Sequence, residues 1–543
     1  MPPRLPSLAL PLPWAGLALL AALFALPGLA GHDLWKSHDA LGLGIVHGMA
    51  QSGDLLVPRV AGLLWMYDPP LFHWVALGFG LALDSLIEFH AAARLAAGLF
   101  VLAAFWLIYA AARRWAPEGE ERASAAAAVL LLLGSVGLMV HAHEALPELA
   151  SLAALCGALA TLPYAIRRPV SAGVAYGVAL GLAFLSATWI APAALAGATL
   201  AGAAVSPQWR QRRGAAFLVS ALVAFLIVGL SWPVMLALGS PHAFLEWWAL
   251  SVETAGDTPA RLRYLLATAS WFAWPAWPLA LWALWSLRRR WSEPRLFVPA
   301  CAAAAMLVGH ALWGEARDIE LIPVLAPLAL LAAQSMSTLR RGAAAALDWF
   351  AVLAFAFFVS LVWLGYVAMM TGLPPRIANN FAKTAPGFAP QFELVPFLMA
   401  LALLLGWLYV VFYAAPSPLR PVARWASGIV LLWGTIAMLL MPWVDYQKSY
   451  RSVALQLRSK VPVDAGCIAA RSLGVPQSAA LDYHGGIRTV PFDALKPREC
   501  PLILVQGNPR DEFDAPGAGW TKLADVGRPG DKSERYRLYA ADR

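Results

Sequence analysis

Charged side chains are scarce in this sequence of 543 residues. Asp, Glu, Lys and Arg make up 13% of it and hydrophobic residues 60%, whereas a soluble domain has about 25% charged and about 45–50% apolar residues. Apolar runs of roughly 20 residues recur along most of the chain, and each is long enough to cross the hydrocarbon core of a bilayer. The composition therefore excludes an ordinary soluble domain and predicts a polytopic α-helical membrane protein.

Cysteine is equally scarce, and the four positions follow no zinc-binding spacing. Cys156 and Cys301 lie within apolar runs, where we expect unpaired packing residues. Cys467 and Cys500 lie in the polar C-terminal part, and we expect them to form a disulfide if that part is in an oxidising compartment. No Gly-rich nucleotide fingerprint or P-loop is present. The net charge of +8 comes from short loops between apolar spans, so the basic residues indicate topology and not nucleic-acid binding.

The apolar runs predict about thirteen transmembrane helices of roughly 20 residues each. They fall near residues 10–31, 87–112, 124–142, 147–166, 171–187, 188–205, 215–239, 263–287, 296–313, 320–337, 345–371, 393–414 and 425–442. The first run is similar to a signal peptide, but we expect it to stay uncleaved because so many spans follow. The shorter apolar segment Leu71–Leu83 is expected to be interfacial or re-entrant.

Arginines set the expected orientation, since they follow alternate spans and mark the cytoplasmic side. The N-terminus is then cytoplasmic, and the periplasmic side carries the first loop, residues 32–86, and the polar tail, residues 443–543. In the tail, "CIAAR", "RTVPFD", "PLILVQG", "WTKLADVG" and "ERYRLYAA" are typical of short strands, and "SYRSVALQLRSKV" and "VPQSAALDYHG" of helices. This alternation predicts a small periplasmic α/β domain beside a transmembrane domain, residues 1–442.

The first loop contains "SHDALGLGIVHGMAQSGDLLVPRVAGLLWMYDPPLFHW". A carboxylate that takes a proton from a hydroxyl must lie where the reacting atom arrives, and a loop at the membrane surface suits a lipid-linked substrate. Asp39 and Asp68 are therefore candidate catalytic residues, and His38 and Arg59 candidate substrate-binding residues. Ordinary turn and helix-start chemistry is the alternative for Asp68 and for Asp54.

A second polar group lies in "VHAHEALPELA", between two spans. Ionisable residues at membrane depth are costly and indicate function. Glu148 is a candidate catalytic residue, and His143 and Glu144 are candidates for substrate binding. A divalent metal at this turn and a solvated loop with a capped helix remain open alternatives.

The third group is "WGEARDIELIPVLAP", in which Arg317 lies among acidic residues. A guanidinium binds phosphate oxygens in a bidentate manner, so we expect Arg317 to hold a lipid phosphate. Arg261 is a further candidate for this role. Anchoring at the membrane interface is the alternative for both.

Over nearly its whole length the chain resembles the bacterial GT-C glycosyltransferases of the protein mannosyltransferase and lipid A aminoarabinose transferase group. The segment "SGDLLVPRVAGLLWMYDPPLFHW" matches the family pattern SGDWxxPxxxGxxYFEKPPxxYW, and "LIPVLAPLALLAA", "KSYRSVALQL" and "VPQSAALDYHGGIRT" are also similar. The resemblance implies a GT-C fold in a bacterial inner membrane, with residues 1–442 as the catalytic domain. It also implies transfer of a hexosyl or pentosyl group from a polyprenyl-phosphate donor to a lipid or other envelope acceptor on the periplasmic side.

The resemblance also carries residue roles. The acidic residue of the family's first loop, which is linked to catalysis, corresponds to Asp39, and that of the next outer loop corresponds to Glu148. The family's Phe-Glu-Lys-Pro is Met66–Pro69 here, with an Asp and neither the Glu nor the Lys. A family Arg and a family Lys are replaced by Leu41 and Ala187.

The leading hypothesis is an inverting transferase in which Asp39 acts as base or orients the acceptor. A phosphate leaving group needs little acid assistance, so one carboxylate suffices, unlike the paired carboxylates of glycosidases. Asp39 should then face a cavity that has Glu148 and Arg317 on its rim and an apolar groove leading into it. A transporter or flippase of lipid-linked sugars is disfavoured because no internal repeat is present. A catalytically silent GT-C-like scaffold is the other alternative, which the replaced cations favour.

Overall fold

The computed structural model describes residues 14–35, 37–206, 209–254, 256–462, 465–492, 500–508 and 516–542. Within these ranges most of the chain is helical. Two short strands, β1 Arg59–Val60 and β2 Leu63–Leu64, form a ribbon in the first loop, and the other described strands follow residue 467.

The helices are α1 Trp14–Ala25, α2 His38–Ser52, α3 Leu71–Leu83, α4 Phe89–Trp115, α5 Glu121–Leu133, α6 Leu138–His141, α7 Pro147–Thr161, α8 Pro169–Phe184, α9 Ile190–Val205, α10 Arg212–Gly229, α11 Ser231–Gly239, α12 Pro241–Val252, α13 Thr258–Phe272, α14 Ala276–Ser286, α15 Pro294–Leu312, α16 Leu325–Ala333, α17 Arg341–Thr371, α18 Pro375–Thr384, α19 Leu394–Tyr413, α20 Arg420–Leu439, α21 Met441–Lys448, α22 Arg451–Arg458 and α23 Val475–Gly485. A 3₁₀ turn, Asp318–Leu321, precedes α16.

Six described helical segments are long and apolar enough to cross a membrane. They are α4, α10 continued by α11, α15, α17, α19 and α20. Helices α1, α3, α8 and α9 are apolar but shorter. The predicted membrane class is confirmed, while the number thirteen stays a prediction. The short apolar segment Leu71–Leu83 is a helix with the predicted bounds.

Helix α8 packs against α10 through glycines spaced four residues apart. A Cβ atom at Gly177 would lie 2.1 Å from the carbonyl oxygen of Ala221, and one at Gly173 would lie 2.4 Å from the carbonyl oxygen of Phe217. Without side chains at these positions the two backbones approach directly, as small residues allow between membrane helices. The glycine spacing therefore fixes the geometry of this helix pair.

The C-terminal part folds around a five-stranded sheet. Its strands are β3 Ile468–Arg471, β4 Val490–Pro491, β5 Leu502–Gly507, β6 Trp520–Val526 and β7 Arg535–Ala541, in the order β4-β3-β5-β7-β6. Strand β3 runs parallel to β4 and β5, and β7 runs antiparallel to β5 and β6. Helices α22 and α23 cover one face, with Tyr450, Leu481 and Leu504 among the buried residues. The predicted strands and helices of the tail are confirmed; the boundary at residue 442 stays a prediction.

All four cysteines behave as expected. Cys467 and Cys500 form a disulfide with their Cα atoms 5.1 Å apart. Cys156 and Cys301 are unpaired, the first buried and the second half-buried. The disulfide ties the segment just before β3 to the segment just before β5.

The sheet part is docked on the helical part through the first loop. A Cβ atom at Gly44 in α2 would lie 2.5 Å from the Cβ of Ala479 in α23, so these two helices touch closely. Beside them, Arg451 Nη2 donates to Asp33 Oδ1 at 2.7 Å and to Glu88 Oε2 at 2.8 Å. These contacts place the C-terminal sheet at the end of the bundle where the first loop lies.

Candidate active site

Asp39, the acid expected to face a cavity, is instead enclosed in the protein interior. Its side chain is 1% exposed. Arg94 donates from Nε to Oδ1 at 3.0 Å and from Nη2 to Oδ2 at 2.9 Å, and the backbone N–H of Ala145 donates to Oδ1 at 3.0 Å. Burial would raise the pKa of Asp39, but the Arg94 guanidinium holds that pKa below the usual carboxyl range. The predicted placement of Asp39 is wrong because its carboxylate neutralises a buried cation.

A different group of ionisable side chains lies buried at the junction of α7, α15 and the segment before α3. Asp68, Glu148 and Glu320 are 5%, 2% and 3% exposed, and the charges of all three act on Arg317. Arg317 Nη2 donates to Glu320 Oε1 at 2.8 Å, and His310 Nδ1 lies 3.3 Å from Glu320 Oε2. The structure thus brings together three predicted site residues, Asp68, Glu148 and Arg317, in one carboxylate–arginine cluster.

Several buried atoms of this cluster have no hydrogen-bond partner among the described residues. They are Asp68 Oδ1, Glu148 Oε2, His310 Nε2 and Arg317 Nε. The other oxygen of Asp68, Oδ2, accepts a hydrogen bond from Trp65 Nε1 at 3.4 Å. Buried polar atoms are normally paired, so the unpartnered atoms of Arg317 and His310, which line the adjoining cavity, are candidates for ligand contact. Asp68 and Glu148 belong to the cluster but are not among the residues that line this cavity.

Asp68 and Arg317 lie outside the helices, and opposing effects set the pKa of each. Burial raises the pKa of Asp68, the Arg317 charge opposes this rise, and the Glu320 charge adds to it. Burial would lower the pKa of Arg317, but the surrounding carboxylates hold it above its usual range. Arg317 is therefore a permanent cation, and Asp68 holds a proton more readily than an exposed carboxyl does.

A cavity of about 260 Å³ opens beside the cluster. Arg317, Glu320 and His310 line it, and so do Tyr67 and Pro69, the two neighbours of Asp68. Aromatic side chains make up much of the remaining wall: Phe184, Trp189, Trp247 and Trp313. The cavity thus combines aromatic surfaces with a few convergent charged groups, as small-molecule sites usually do.

Arg261 lines the same cavity. Its Nη2 donates to the backbone carbonyl oxygens of His310 at 3.2 Å, of Trp313 at 3.4 Å and of Gly314. Its buried Nε has no hydrogen-bond partner in the described part of the chain. Two predicted phosphate-binding arginines, Arg261 and Arg317, therefore share one cavity.

An apolar groove of about 740 Å³ runs between α8, α9 and α10. Leu180, Leu218 and Phe225 contribute to its walls. Phe184 and Trp189 line both this groove and the cavity. The groove and the cavity therefore adjoin at these two side chains, while Asp39, which was expected to face the cavity, lines neither of them.

Two of the residues predicted to bind substrate belong to a separate polar group that does not line the cavity. His141 lies between two carboxylates, with Nδ1 2.8 Å from Glu144 Oε2 and Nε2 3.4 Å from Asp318 Oδ2. His38 Nε2 is 3.9 Å from Asp318 Oδ1. The hydrogen bond with His141 lowers the pKa of Asp318 to about 2. His38 and Glu144 are thus neighbours outside the cavity.

His143 and Arg59 also lie away from the cavity lining. His143 is 2% exposed, and its ring nitrogens lie 2.6 Å from the carbonyl oxygen of Phe24 and 2.9 Å from that of Met139. Arg59 belongs to β1, where it is paired with Leu64. The structure gives no support to substrate contact in the cavity by either residue, because neither lines it and both ring nitrogens of His143 are paired with backbone carbonyl oxygens.

Within the part of the chain that the structure describes, the turn before α7 contains no set of three potential metal ligands within 4.8 Å of one another. Among the described residues, Asp33, Glu88 and His90 are the potential metal ligands that come within 4.8 Å of one another. Arg451 donates to both of these carboxylates. A guanidinium therefore already neutralises them.

Sequence reasoning missed the histidine and the aromatic walls of the cavity. His310 lies near the end of α15, within an apolar run. An ionisable residue inside a span is costly, and that was the available signal. The tryptophans gave no such signal, because indole rings are common at the membrane interface of any membrane protein.

No protein-family model and no curated protein matches this sequence. Solved structures do match. ArnT from Cupriavidus metallidurans bound to undecaprenyl phosphate has a TM-score of 0.70 and 19% identity, over 96% of this chain and 97% of that chain. ArnT from the same organism in the apo state has a TM-score of 0.69 and 20% identity, over 97% of both chains.

The archaeal oligosaccharyltransferase AglB from Archaeoglobus fulgidus, in complex with an inhibitory peptide and a dolichol-phosphate, also matches. Its TM-score is 0.45 and its identity 12%, over 91% of this chain and 69% of that chain, which is too distant to carry an argument. The correspondence with ArnT extends over both the helical bundle and the C-terminal sheet. The chain therefore has the GT-C fold of ArnT, as the sequence resemblance predicted.

Proposed function

We propose that this protein is a glycosyltransferase that moves a sugar from a polyprenyl-phosphate donor to an acceptor hydroxyl, on the periplasmic side of a bacterial inner membrane. The observation that carries the proposal is the buried carboxylate–arginine cluster beside a cavity that an apolar groove enters. The membrane bundle, residues 1–442, forms the catalytic unit, and residues 443–543 form a soluble unit beside it.

The donor is proposed to lie across the groove and the cavity. The polyprenyl chain occupies the apolar groove between α8, α9 and α10, passing Phe184 and Trp189. Its phosphate meets Arg317 and Arg261, whose Nε atoms are buried without partners in the described structure. ArnT, which shares the fold, has been solved with undecaprenyl phosphate bound. Arg317 and Arg261 thus supply cations in a cavity that Ala187, the replacement of the family's Lys, also lines.

The reaction is proposed to be a single displacement. The acceptor hydroxyl oxygen attacks the anomeric carbon, the bond from that carbon to the phosphate oxygen breaks, and polyprenyl phosphate leaves with the bonding electrons. Asp68 takes the hydroxyl proton, because its Oδ1 is unpartnered and both neighbouring residues line the cavity. Glu148 acts from the same cluster and helps to orient the acceptor.

Asp39 takes a positioning role in this proposal. Its Oδ1 accepts from the backbone N–H of Ala145 at 3.0 Å, three residues before Glu148. The carboxylate therefore ties Arg94 to the turn that presents Glu148. The acid that the family resemblance links to catalysis acts here through the backbone.

The first experiment separates donor binding from transfer. Purified wild-type protein is incubated with a panel of undecaprenyl-phosphate sugars, and release of undecaprenyl phosphate is measured with membrane-lipid acceptors. We expect Asp68→Asn to slow release about 10²–10⁴-fold, as for a lost general base, with little change in undecaprenyl phosphate binding. Arg317→Gln should weaken that binding. Asp84→Asn, at an exposed position in the same outer segment, is the matched control.

The pH profile provides the second readout. The base must be deprotonated, so the rate rises as pH passes the pKa of Asp68. Glu320→Gln removes a negative charge that raises this pKa, so the acid limb should move to lower pH. An unmoved limb would exclude Asp68 as the titrating base. Donor binding without release by the wild-type protein would identify a silent scaffold instead.

A further inference from the structure

Helix α18 is a short helix at the end of the bundle where the soluble sheet lies. It connects two candidate membrane spans, α17, which ends at Thr371, and α19, which begins at Leu394. A Cβ atom at Gly530, in the turn between β6 and β7, would lie 2.1 Å from the carbonyl oxygen of Thr384, the last residue of α18. The helix is thus held between the membrane spans and the soluble sheet.

One side of α18 attaches it to the bundle. The Phe381 ring lies 4.6 Å from the Trp443 ring, centroid to centroid, and a Cβ atom at Gly365 would meet Phe381 Cζ at 3.0 Å. Ile377, one helical turn earlier, is also half-buried. Residues four apart share a helix face, so Ile377 and Phe381 form the attached face.

The opposite side of α18 is cationic. Arg376 and Lys383 are seven residues apart, about two turns, and both are exposed. Lys448, at the end of α21, is exposed nearby, and its Nζ lies 5.6 Å from the Trp35 ring centroid. None of these three cations forms an ion pair with a described residue, and the sequence has no acidic residue from 349 to 392. We call Arg376, Lys383 and Lys448 the α18 basic face.

A small polar pocket adjoins this face. It measures about 350 Å³ and is lined by Thr384, Lys448, Arg528 and Asp531, among others. Arg528 is already engaged, because it bonds Asp531 and lies over the Tyr450 ring at 4.6 Å. Lys448, and Lys383 beside Thr384, are therefore the cations at the pocket that form no ion pair with a described residue.

The flanks of α18 place it at the depth of lipid headgroups. Leu373 before the helix is 62% exposed, and Phe392, Leu394 and Val395 after it are 57%, 58% and 67% exposed. Exposed apolar residues at the ends of membrane spans face lipid chains. An amphipathic helix between them, with cations on its outer side, is typical of segments that lie in the membrane interface.

We propose that the α18 basic face and its pocket bind the headgroups of anionic phospholipids in the leaflet next to the soluble sheet. The headgroup phosphates pair with Arg376, Lys383 and Lys448, and the fatty chains lie along Leu373 and Phe392. This site does not depend on the proposed sugar transfer, and its pocket shares no lining residue with the cavity. It holds the junction between the membrane bundle and the soluble sheet against the membrane.

The test compares hydrogen exchange of the full chain in two kinds of nanodisc. One contains phosphatidylcholine alone and the other phosphatidylcholine with phosphatidylglycerol. We expect slower amide exchange over residues 375–384 with phosphatidylglycerol. Each basic residue near an anionic surface contributes about fivefold in affinity, so R376Q/K383Q/K448Q should lose roughly 100-fold and show no protection at any phosphatidylglycerol fraction.

The control R288Q/R289Q/R290Q removes the same number of charges elsewhere in the chain and should keep the protection. If the triple variant does not fold, K383Q alone, at an exposed position, should weaken the protection. Equal exchange in both nanodiscs for the wild-type chain would overturn the proposal. So would protection by inorganic phosphate in phosphatidylcholine nanodiscs, since it would assign the site to a soluble anion.

Discussion

Arg94 and Asp39 form an ion pair in which nearly every polar atom is used. Besides its bonds to Asp39, Arg94 donates from Nη1 to the carbonyl oxygens of Leu29 at 3.1 Å and His32 at 3.3 Å, and from Nη2 to that of Asp33 at 3.1 Å. Arg94 itself is 0% exposed. A buried guanidinium satisfied in this way depends on its counter-charge.

Asp39→Asn should therefore act mainly on stability. The change keeps the side-chain volume but leaves the Arg94 charge uncompensated in the interior, and breaking a buried pair in this way costs about 3–5 kcal/mol. We expect a lower thermal midpoint in detergent. The double replacement Asp39→Leu with Arg94→Met should recover part of the loss, since it removes both charges. Unchanged stability with abolished sugar transfer would instead support Asp39 as the catalytic base.

The same pair shows what sequence could not give at the residue scale. His38-Asp39 in an outer loop has the composition of an exposed acid–base pair. Its cation, Arg94, lies 55 residues further on, and sequence spacing does not reveal which loop acid meets it. By contrast, Glu148 and Arg317 were both placed at the outer ends of spans, where residues confined to one membrane boundary are expected to lie close together. Their convergence was predictable from the sequence, whereas the burial of Asp39 and the position of Asp68 beside Arg317 were not.

At the scale of elements, apolar runs located the membrane segments but not the breaks within them. The predicted span 263–287 is divided into α13 and α14, and Pro275 lies in the gap between them. The predicted span 215–239 is divided into α10 and α11, with Pro233 in the first turn of α11. Proline removes a helical hydrogen bond and clashes with the preceding turn. Hydropathy ignores both effects, so it cannot place the breaks.

The glycine contact between α8 and α10 gives the prediction at this scale. Gly177→Ala would place a Cβ atom 2.1 Å from the backbone oxygen of Ala221, so the two helices must separate. We expect the free energy of unfolding in detergent to fall by about 1–3 kcal/mol, as for other overpacked sites. Gly406→Ala, in α19, has nothing within 4 Å of the added atom and should be neutral or stabilising. Equal effects of the two substitutions would mean that α8 and α10 are not in close contact.

At the scale of the whole molecule, the cavity is assembled from segments far apart in sequence. Tyr67 precedes α3, Trp247 lies in α12, and Arg317 follows α15. No local sequence pattern links these residues, so the cavity could not be predicted without knowledge of the fold. The C-terminal sheet was easier to predict, because its short strands alternate with two helices. Its disulfide was also predictable, because both cysteines lie within the same small domain.

That disulfide supplies the last prediction, since it tests whether the soluble sheet is a unit distinct from the membrane bundle. Cys467 and Cys500 are 33 residues apart in sequence, and closing a loop of that length stabilises a fold by about 3–4 kcal/mol in the chain-entropy model. Replacing both by Ala should lower the urea midpoint for proteolysis of the sheet while the membrane helices stay protected.

The matched control replaces Cys156 and Cys301, which are unpaired, and should leave the sheet's midpoint unchanged. The disulfide joins a residue just before β3 to one just before β5, and the cavity is built from residues 67 to 320, so undecaprenyl phosphate binding should persist in the Cys467/Cys500 variant. Loss of that binding together with the sheet would mean that bundle and sheet fold as one unit.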